Sequence, residues 1–153
     1  MDTFSVYTAY SPGLLKPPTL LVHGIELAAN SSRLRGNTIV LTKLNHDLWF
    51  ANVRGNVYSR RHVHLNADID DEFWDFSFHE RGYYDLATTI NTVLNKTNSL
   101  QINGIGYSLG TIMFTVLTST RPEYNAKINL TIYLAPIAYL NNVQSSLFNF
   151  IFP

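Results

Sequence analysis

The sequence predicts an α/β fold in which a mainly parallel sheet is flanked by helices. Several short segments are apolar without interruption, which is typical of strands covered on both faces. Segments with helical spacing of apolar residues lie between them, and this alternation produces βαβ crossovers. The chain has 153 residues, of which 46% are hydrophobic, and this fits one compact domain.

The strands are predicted from apolar runs bounded by turn residues. Pro12-Gly13 and Pro17-Pro18 separate an extended N-terminal piece, residues 3–10, from the remainder of the chain. The later strand candidates are residues 19–22, 48–53, 100–105 and 130–134. Because these runs do not alternate with polar residues, we expect each strand to be buried on both faces.

Two helices are predicted from apolar stripes with a period of about 3.6 residues. The first stripe consists of Tyr83, Leu86, Ala87, Ile90 and Leu94. The second comes after Gly110 and consists of Ile112, Met113, Val116 and Leu117. Residues 37–43 are a weaker candidate for a third helix, since three consecutive residues in them are β-branched.

Composition excludes several functional classes. Eleven basic and eleven acidic residues cancel, so no charge excess favours a nucleic-acid partner. Cysteine is absent, which excludes disulfide scaffolds, thiol nucleophiles and Cys-ligated zinc. The N-terminus lacks the basic and apolar regions of a signal peptide, and no apolar run is long enough to span a membrane. Three glycosylation sequons, at Asn30, Asn95 and Asn129, are weak indications of secretion.

The motif Gly106-Tyr107-Ser108-Leu109-Gly110 matches G-x-S-x-G between a predicted strand and a predicted helix. A nucleophile elbow requires a serine on a tight, strained turn, and glycines two residues before and after it so that strand and helix approach closely. The helix after the turn directs N–H groups towards developing negative charge. The alternative is an ordinary βα turn that needs small residues for packing.

His23-Gly24-Ile25 comes directly after the strand at residues 19–22. An oxyanion hole in a serine hydrolase needs one N–H from the residue after the nucleophile and one from an early loop. Leu109 would supply the first and Ile25 the second. We expect His23 to orient this loop rather than act as a base, and a plain exit from the strand remains the alternative.

Residues 52–62 and 73–80 carry two long motifs, Asn-Val-Arg-Gly-Asn-Val-Tyr-Ser-Arg-Arg-His and Phe-Trp-Asp-Phe-Ser-Phe-His-Glu. These motifs make the chain from about Thr19 onward resemble the acid lipase family of α/β-hydrolases. The resemblance continues, in the order of the family, through residues 84–86, 121–125 and 134–139. The resemblance implies a lipase that hydrolyses triacylglycerols or sterol esters in lipid degradation, with Ser108 as nucleophile and the N–H groups of Ile25 and Leu109 as oxyanion hole. It implies a lipid ester as partner, contact with a lipid interface and a secreted or lysosomal location. It implies no cofactor, metal, nucleic acid or specific protein partner.

The sequence departs from the family pattern at the elbow and at its end. The family usually has Gly-His-Ser-Gln-Gly, where this chain has Tyr107 and Leu109. Hydrolases of this fold order their triad as Ser, Asp or Glu, then His, and the family's last two members come after a cap domain. We therefore expect residues 1–153 to be the N-terminal portion of one hydrolase domain, an incomplete fold that stops before the cap and the C-terminal strands.

The triad Asp and His are accordingly expected to be absent from this chain, and His46 and His79 are poor substitutes. Without a base a serine hydroxyl is a weak nucleophile, so we expect the chain alone to be inactive or very weak, and poorly soluble with an apolar tail at 147–152. The alternative hypothesis is a non-catalytic, truncated remnant of a lipase.

Three further clusters have alternative interpretations. His62 and His64, with Asp68, Asp70 and Asp71, could bind a metal, although a polar surface loop is favoured. Arg54, Arg60 and Arg61 could contact phosphate, although local ion pairs are favoured. The aromatic residues Phe73, Trp74, Phe76 and Phe78 could line an acyl pocket, although packing is favoured.

Overall fold

The computed structural model describes residues 5–10, for which only the backbone is considered, and residues 16–25, 41–44 and 46–139. They contain a five-stranded sheet in the order β1-β3-β2-β4-β5. The strands are β1 (Ser5–Tyr10), β2 (Thr19–Val22), β3 (Leu48–Asn52), β4 (Ile102–Tyr107) and β5 (Ile128–Leu134). Strands β3, β2, β4 and β5 are parallel, and β1 pairs antiparallel with β3. The predicted, mainly parallel sheet is confirmed.

The helices lie between the strands, as predicted. A short helix α1 (Phe78–Glu80) continues into a π-helical segment (Arg81–Leu86) and then into α2 (Ala87–Thr97). Helix α3 (Leu109–Thr120) comes after β4, and 3₁₀ turns occupy Asp71–Trp74 and Pro122–Lys127. Ser77 and Glu80 form a capping box that begins α1. No helix among these described residues has the length and apolar character needed to cross a bilayer.

The predicted boundaries of several elements differ from those of the structure. The prediction for β2 is the same as the observed strand, whereas β4 begins and ends two residues later and β5 begins two residues earlier. The π-helical segment is not predicted, because its apolar spacing resembles that of an α-helix. Of the third helix candidate, residues 37–40 lie outside the described residues, and residues 41–43 are helical. The tail at 147–152 also lies outside them.

Alternate residues of the central strands face opposite sides of the sheet, which explains their uninterrupted apolar character. One side packs against α2 and α3, and its strand residues are Leu20, Val22, Trp49, Ala51 and Ile102, with Val53 directly after β3. The other side holds Leu21, Leu48, Phe50 and Ile105, against which Leu41, Tyr107 and Leu134 pack. The sheet core is therefore built mainly by β2, β3 and β4.

The expected burial of residues 130–134 on both faces is wrong. In β5, Leu130 is 52% exposed, Ile132 44% and Tyr133 39%. Among the described strands, β5 pairs only with β4, so it lies at an edge of this sheet. A continuous apolar run indicates that a strand could be covered, but it does not show what covers it.

An ion pair joins the turn after β3 to the π-helical segment. Asp85 is 2% exposed, and its carboxylate accepts hydrogen bonds from the backbone N–H of Arg54 at 3.0 Å and from Nη2 of Arg54 at 2.6 Å. Nε of Arg54 donates to both carboxylate oxygens, at 2.9 and 3.0 Å. This fork-like contact is the strong form of an arginine–carboxylate pair. It fixes the 52–62 motif against the helical layer.

We expect Asp85→Asn to lower the free energy of unfolding by about 3 kcal/mol, because it removes the carboxylate charge that pairs with the largely buried guanidinium of Arg54. Urea unfolding measures the loss. Asp68→Asn is the matched control, since Asp68 pairs with Arg60 but is 78% exposed, and exposed pairs contribute little. Equal losses in the two variants would contradict this assignment.

Candidate active site

The candidate site lies where the chain order of the strands reverses. After β2 the chain adds β3 on one side and later β4 on the other. Open α/β sheets bind ligands at such a switch point, beside the carboxyl ends of the strands. Residues 23–25 come after β2, and Ser108 comes after β4, which pairs with β2 in parallel. The structure therefore brings both predicted site segments to the same edge of the sheet.

Ser108 occupies a sharp, strained turn between β4 and α3. Its φ is 51° and its ψ is −111°, a conformation that costs a non-glycine residue roughly 1–3 kcal/mol. Its N–H donates to the carbonyl of Leu134 at 2.9 Å, and its carbonyl accepts from the N–H of Thr111 at 2.9 Å. The surrounding hydrogen bonds hold a backbone conformation that the residue alone would avoid.

The two glycines of the motif allow the backbones to meet at this turn. A Cβ on Gly106 would lie 2.8 Å from the carbonyl carbon and oxygen of Gly110. A Cβ on Gly110 would lie 2.5 Å from the carbonyl oxygen of Val22 in β2. Both contacts are with backbone atoms, which cannot rotate away as a flexible side chain could. Larger residues at 106 or 110 would push α3 away from the sheet.

Helix α3 begins directly at the turn. Leu109 is its first residue, and Ser108 provides no side-chain cap. The N–H groups of a first helical turn have no partner within the helix and carry the positive end of its dipole. The N–H of Leu109 is one of these groups. Leu109 stands where glutamine is usual in the family that the sequence resembles. This difference affects only the side chain, which is buried, and leaves the backbone donor in place.

His23 is held in one neutral form by its neighbours. Its Nδ1 lies 2.7 Å from the carbonyl of Gly24, so Nδ1 carries the proton. Its Nε2 therefore accepts hydrogen bonds from the backbone N–H of Val53 at 3.4 Å and from Nδ2 of Asn56 at 3.1 Å. The same amide of Asn56 donates to Oδ1 of Asn52 at 2.7 Å. Both ring nitrogens are engaged, so His23 orients the loop, as expected, and the lone pair of Nε2 is occupied by hydrogen bonds rather than directed at a substrate-binding serine.

Burial lowers the pKa of His23 below its ordinary value of 6.5, and the positive charge of Arg81 lowers it further, while the hydrogen bond to Gly24 opposes these effects. The neutral imidazole joins the end of β2 to the turn after β3. Ile25 lies further along the same loop, half-buried against the main core cluster. The loop that would supply the second oxyanion donor is thus anchored two residues earlier.

Among the described residues, no histidine or carboxylate forms a hydrogen bond with Ser108. The Ser108 hydroxyl has no hydrogen-bond partner among residues 16–25, 41–44 and 46–139. His46 lies by Thr19, at the opposite ends of the strands, with its Nδ1 3.3 Å from the Thr19 hydroxyl. The exposed ring of His79 stacks on Tyr83 at 5.6 Å. The sequence contains no histidine after Ser108, and Glu123, the one carboxylate residue after it, pairs with Arg121.

The other clusters make local contacts in the structure. In the part of the chain that the structure describes, no three His, Cys, Asp or Glu residues are grouped to hold a metal ion. Nδ1 of His62 instead accepts hydrogen bonds from the N–H groups of His64 and Leu65. Arg54 and Arg60 form ion pairs with Asp85 and Asp68.

The aromatic residues at 73–76 pack on one another. Phe73 is buried and meets Trp74 edge to face at 4.9 Å. Gly55, with φ of 80°, lies so close to Phe76 that a Cβ would be 2.6 Å from its ring. This cluster therefore supports the turn that holds Asn56, and through it His23.

Two residues that fix this edge are not found by sequence reasoning. Asn56 belongs to the 52–62 motif, but the motif does not indicate that its amide holds the His23 ring. Thr111 lies outside the elbow motif, although it is fully buried and donates its hydroxyl to the Ser108 carbonyl at 2.7 Å. A threonine directly after the second elbow glycine, at the start of a helix, is the available signal, because threonine hydroxyls favour bonds to nearby backbone.

We expect the difference in unfolding free energy between the wild type and His23→Asn to shrink as the pH falls below about 6.5. A group with a lowered pKa in the folded state stabilises the fold above its unfolded pKa, and this is lost as the pH falls towards the folded pKa. For one proton the slope is at most about 1.4 kcal/mol per pH unit. Urea unfolding between pH 8 and pH 5 (roughly the range of histidine titration) measures it. Parallel curves for the two proteins would contradict the burial of a neutral imidazole.

Comparison with known proteins shows sequence relatives over most of this chain. It is 40% identical over 134 residues to lipase member M of Homo sapiens, covering 85% of this chain and 31% of that protein. It is 39% identical to lipase 1 of Drosophila melanogaster, covering 84% and 30%. It is 37% identical to gastric triacylglycerol lipase of Rattus norvegicus, covering 86% and 34%. The chain thus spans about a third of the length of these relatives. No protein-family model matches it.

Solved structures with a similar fold are α/β-hydrolases. An α/β-hydrolase fold protein from Burkholderia ambifaria aligns with a TM-score of 0.63 at 15% identity, covering 98% of this chain and 46% of that one. Est1E from Butyrivibrio proteoclasticus, solved with ferulic acid, aligns with a TM-score of 0.67 at 14% identity, covering 88% and 49%. The fold expected from the sequence is confirmed, and the sequence relatives confirm the resemblance: the chain belongs to the acid and gastric lipase family of α/β-hydrolases.

Proposed function

We propose that the chain carries the nucleophile and the oxyanion hole of a serine hydrolase that cleaves lipid esters. One observation supports this most strongly: Ser108 has φ of 51° at the junction of β4 and α3. A strained non-glycine turn is stable only where its surroundings impose it, and such turns cluster at active sites. An ordinary βα turn would not require a serine in this conformation.

In this mechanism the Ser108 Oγ attacks the ester carbonyl carbon while a general base takes its proton. The carbonyl oxygen becomes an oxyanion, which accepts hydrogen bonds from the N–H groups of Leu109 and Ile25. Collapse of the tetrahedral intermediate expels the alcohol and leaves an acyl-serine, which water then hydrolyses. His23 acts indirectly, since its two hydrogen-bonded nitrogens keep the Ile25 loop in place.

The substrates we propose are triacylglycerols or sterol esters. Gastric triacylglycerol lipase is named for the first of these, and its 37% identity over 136 residues supports a triacylglycerol as substrate for this chain as well. We also propose a secreted or lysosomal location, which fits the same relative. Two of the sequon asparagines are exposed in the structure, Asn95 on α2 and Asn129 in β5.

We expect a fluorophosphonate to label Ser108 slowly, because the elbow presents its hydroxyl beside the proposed oxyanion donors while the described residues bring no base to activate it. Mass spectrometry locates the adduct, and Ser108→Ala should abolish it together with the hydrolysis of p-nitrophenyl butyrate. Ser119→Ala is the matched control, since Ser119 lies exposed on the same helix with its hydroxyl bonded to Thr115. Unchanged labelling in Ser108→Ala would refute the proposed nucleophile.

We further expect the 153-residue chain to hydrolyse this ester orders of magnitude more slowly than a full-length relative. The described residues bring no base to Ser108, and loss of a triad member leaves only about 10³–10⁴-fold acceleration over water. Steady-state kinetics of the two proteins under the same conditions test this. Comparable turnover that Ser108→Ala abolishes would show that the chain supplies a base of its own.

A further inference from the structure

Among the described threonines of α3, only Thr111 has a hydroxyl that bonds to the backbone of the segment after β5. Its side chain is fully buried in the first turn of the helix. Its hydroxyl donates to the Ser108 carbonyl at 2.7 Å and accepts from the N–H of Ile137 at 3.0 Å. The hydroxyl of Thr118 instead donates to the carbonyl four residues earlier in the helix, that of Phe114, at 2.8 Å.

This connection closes a clamp around the elbow. The Ser108 N–H donates to the Leu134 carbonyl, and the Thr111 N–H and hydroxyl both donate to the Ser108 carbonyl. The segment after β5 is therefore held at Leu134 by Ser108 and at Ile137 by Thr111. Between these two points Ala135 has φ of 50°, so this segment also turns sharply. Both strained turns share one set of hydrogen bonds.

A hydroxyl is required for this arrangement. The position needs a group that donates to one backbone and accepts from another, and among side chains of this size only serine and threonine do both. Valine has nearly the same shape but can do neither. A change from threonine to valine thus removes both hydroxyl bonds of the clamp with little change in packing volume.

We infer that Thr111 is a positioning residue for Ser108: its hydroxyl joins the elbow to the segment after β5 and so sets the direction in which the Ser108 hydroxyl points. This inference rests on the proposed role of Ser108 as nucleophile. Thr111 touches no substrate; it acts through the Ser108 carbonyl. Misplacement of a reacting group by about 1 Å can cost roughly 10²-fold in rate, so a relaxed turn should slow the reaction of Ser108.

The experiment compares Thr111→Val with Thr111→Ser, which keeps the hydroxyl, and with Thr118→Val, which makes the same change two turns later in the helix. The rate constant for fluorophosphonate labelling of Ser108 should fall about 10-fold or more in Thr111→Val. It should stay within about 2-fold of the wild type in Thr111→Ser and Thr118→Val. A purely structural role for the hydroxyl would leave the labelling rate of folded protein unchanged.

Amide hydrogen exchange is measured on the same proteins. We expect faster exchange at Ile137 in Thr111→Val than in Thr118→Val, since only the first variant removes its acceptor. If Thr111→Val does not fold, Ile137→Pro removes the donor from the other side and should slow labelling in the same way.

The outcomes separate the inference from the proposed function. The inference is overturned if folded Thr111→Val is labelled at the wild-type rate. It is also overturned if the rate of amide exchange at Ile137 is unchanged. Absence of labelling at Ser108 in the wild type overturns the proposed function; faster exchange at Ile137 in Thr111→Val would then support the clamp alone.

Discussion

The close approach of β4, β2 and α3 at Ser108 is the constraint on which the rest of the structure depends. The serine turn is tight because two glycines remove the Cβ atoms that would keep these backbones apart. A positive φ at a serine is unfavourable in isolation, so the neighbouring strand end and the first helical turn must impose it. The sheet core provides a rigid base for this, since β2 and β4 are buried along nearly their whole length.

A second layer of polar contacts holds the loops around that turn. His23, Asn52 and the half-buried Asn56 form one set, and Arg54 with the buried Asp85 forms another immediately beside it. Buried polar groups are tolerated when each has partners, and such networks then favour one arrangement of the backbone. Part of the long motif at 52–62 therefore has a structural explanation: Val53 and Asn56 hold His23 and, with it, the loop after β2.

The fold class is predictable from the sequence because periodicity and chain order depend on local physics. The apolar runs at 19–22 and 48–53 and the stripe from Leu86 to Leu94 each show which residues must leave water. The exposure of β5 could not be predicted, because it depends on what lies beside the strand. The elbow is predicted from Ser108 and its glycines, whereas the contacts of Thr111 and Asn56 are not, since hydrogen bonds between distant backbones leave no periodic signal. The roles of Ile25 and Leu109 remain predictions.

The π-helical segment Arg81–Leu86 carries a consequence for how the chain tolerates length changes. A π-turn contains one more residue than the α-helical turn it replaces, so it takes up that residue without rotating α1 against α2. Winding the same six residues as a plain α-helix would instead rotate one side against the other by about 100°. The carboxylate of Asp85 would swing away from Arg54, and Gly82 would no longer face Val116 of α3. In this helix the number of residues therefore matters as much as their type.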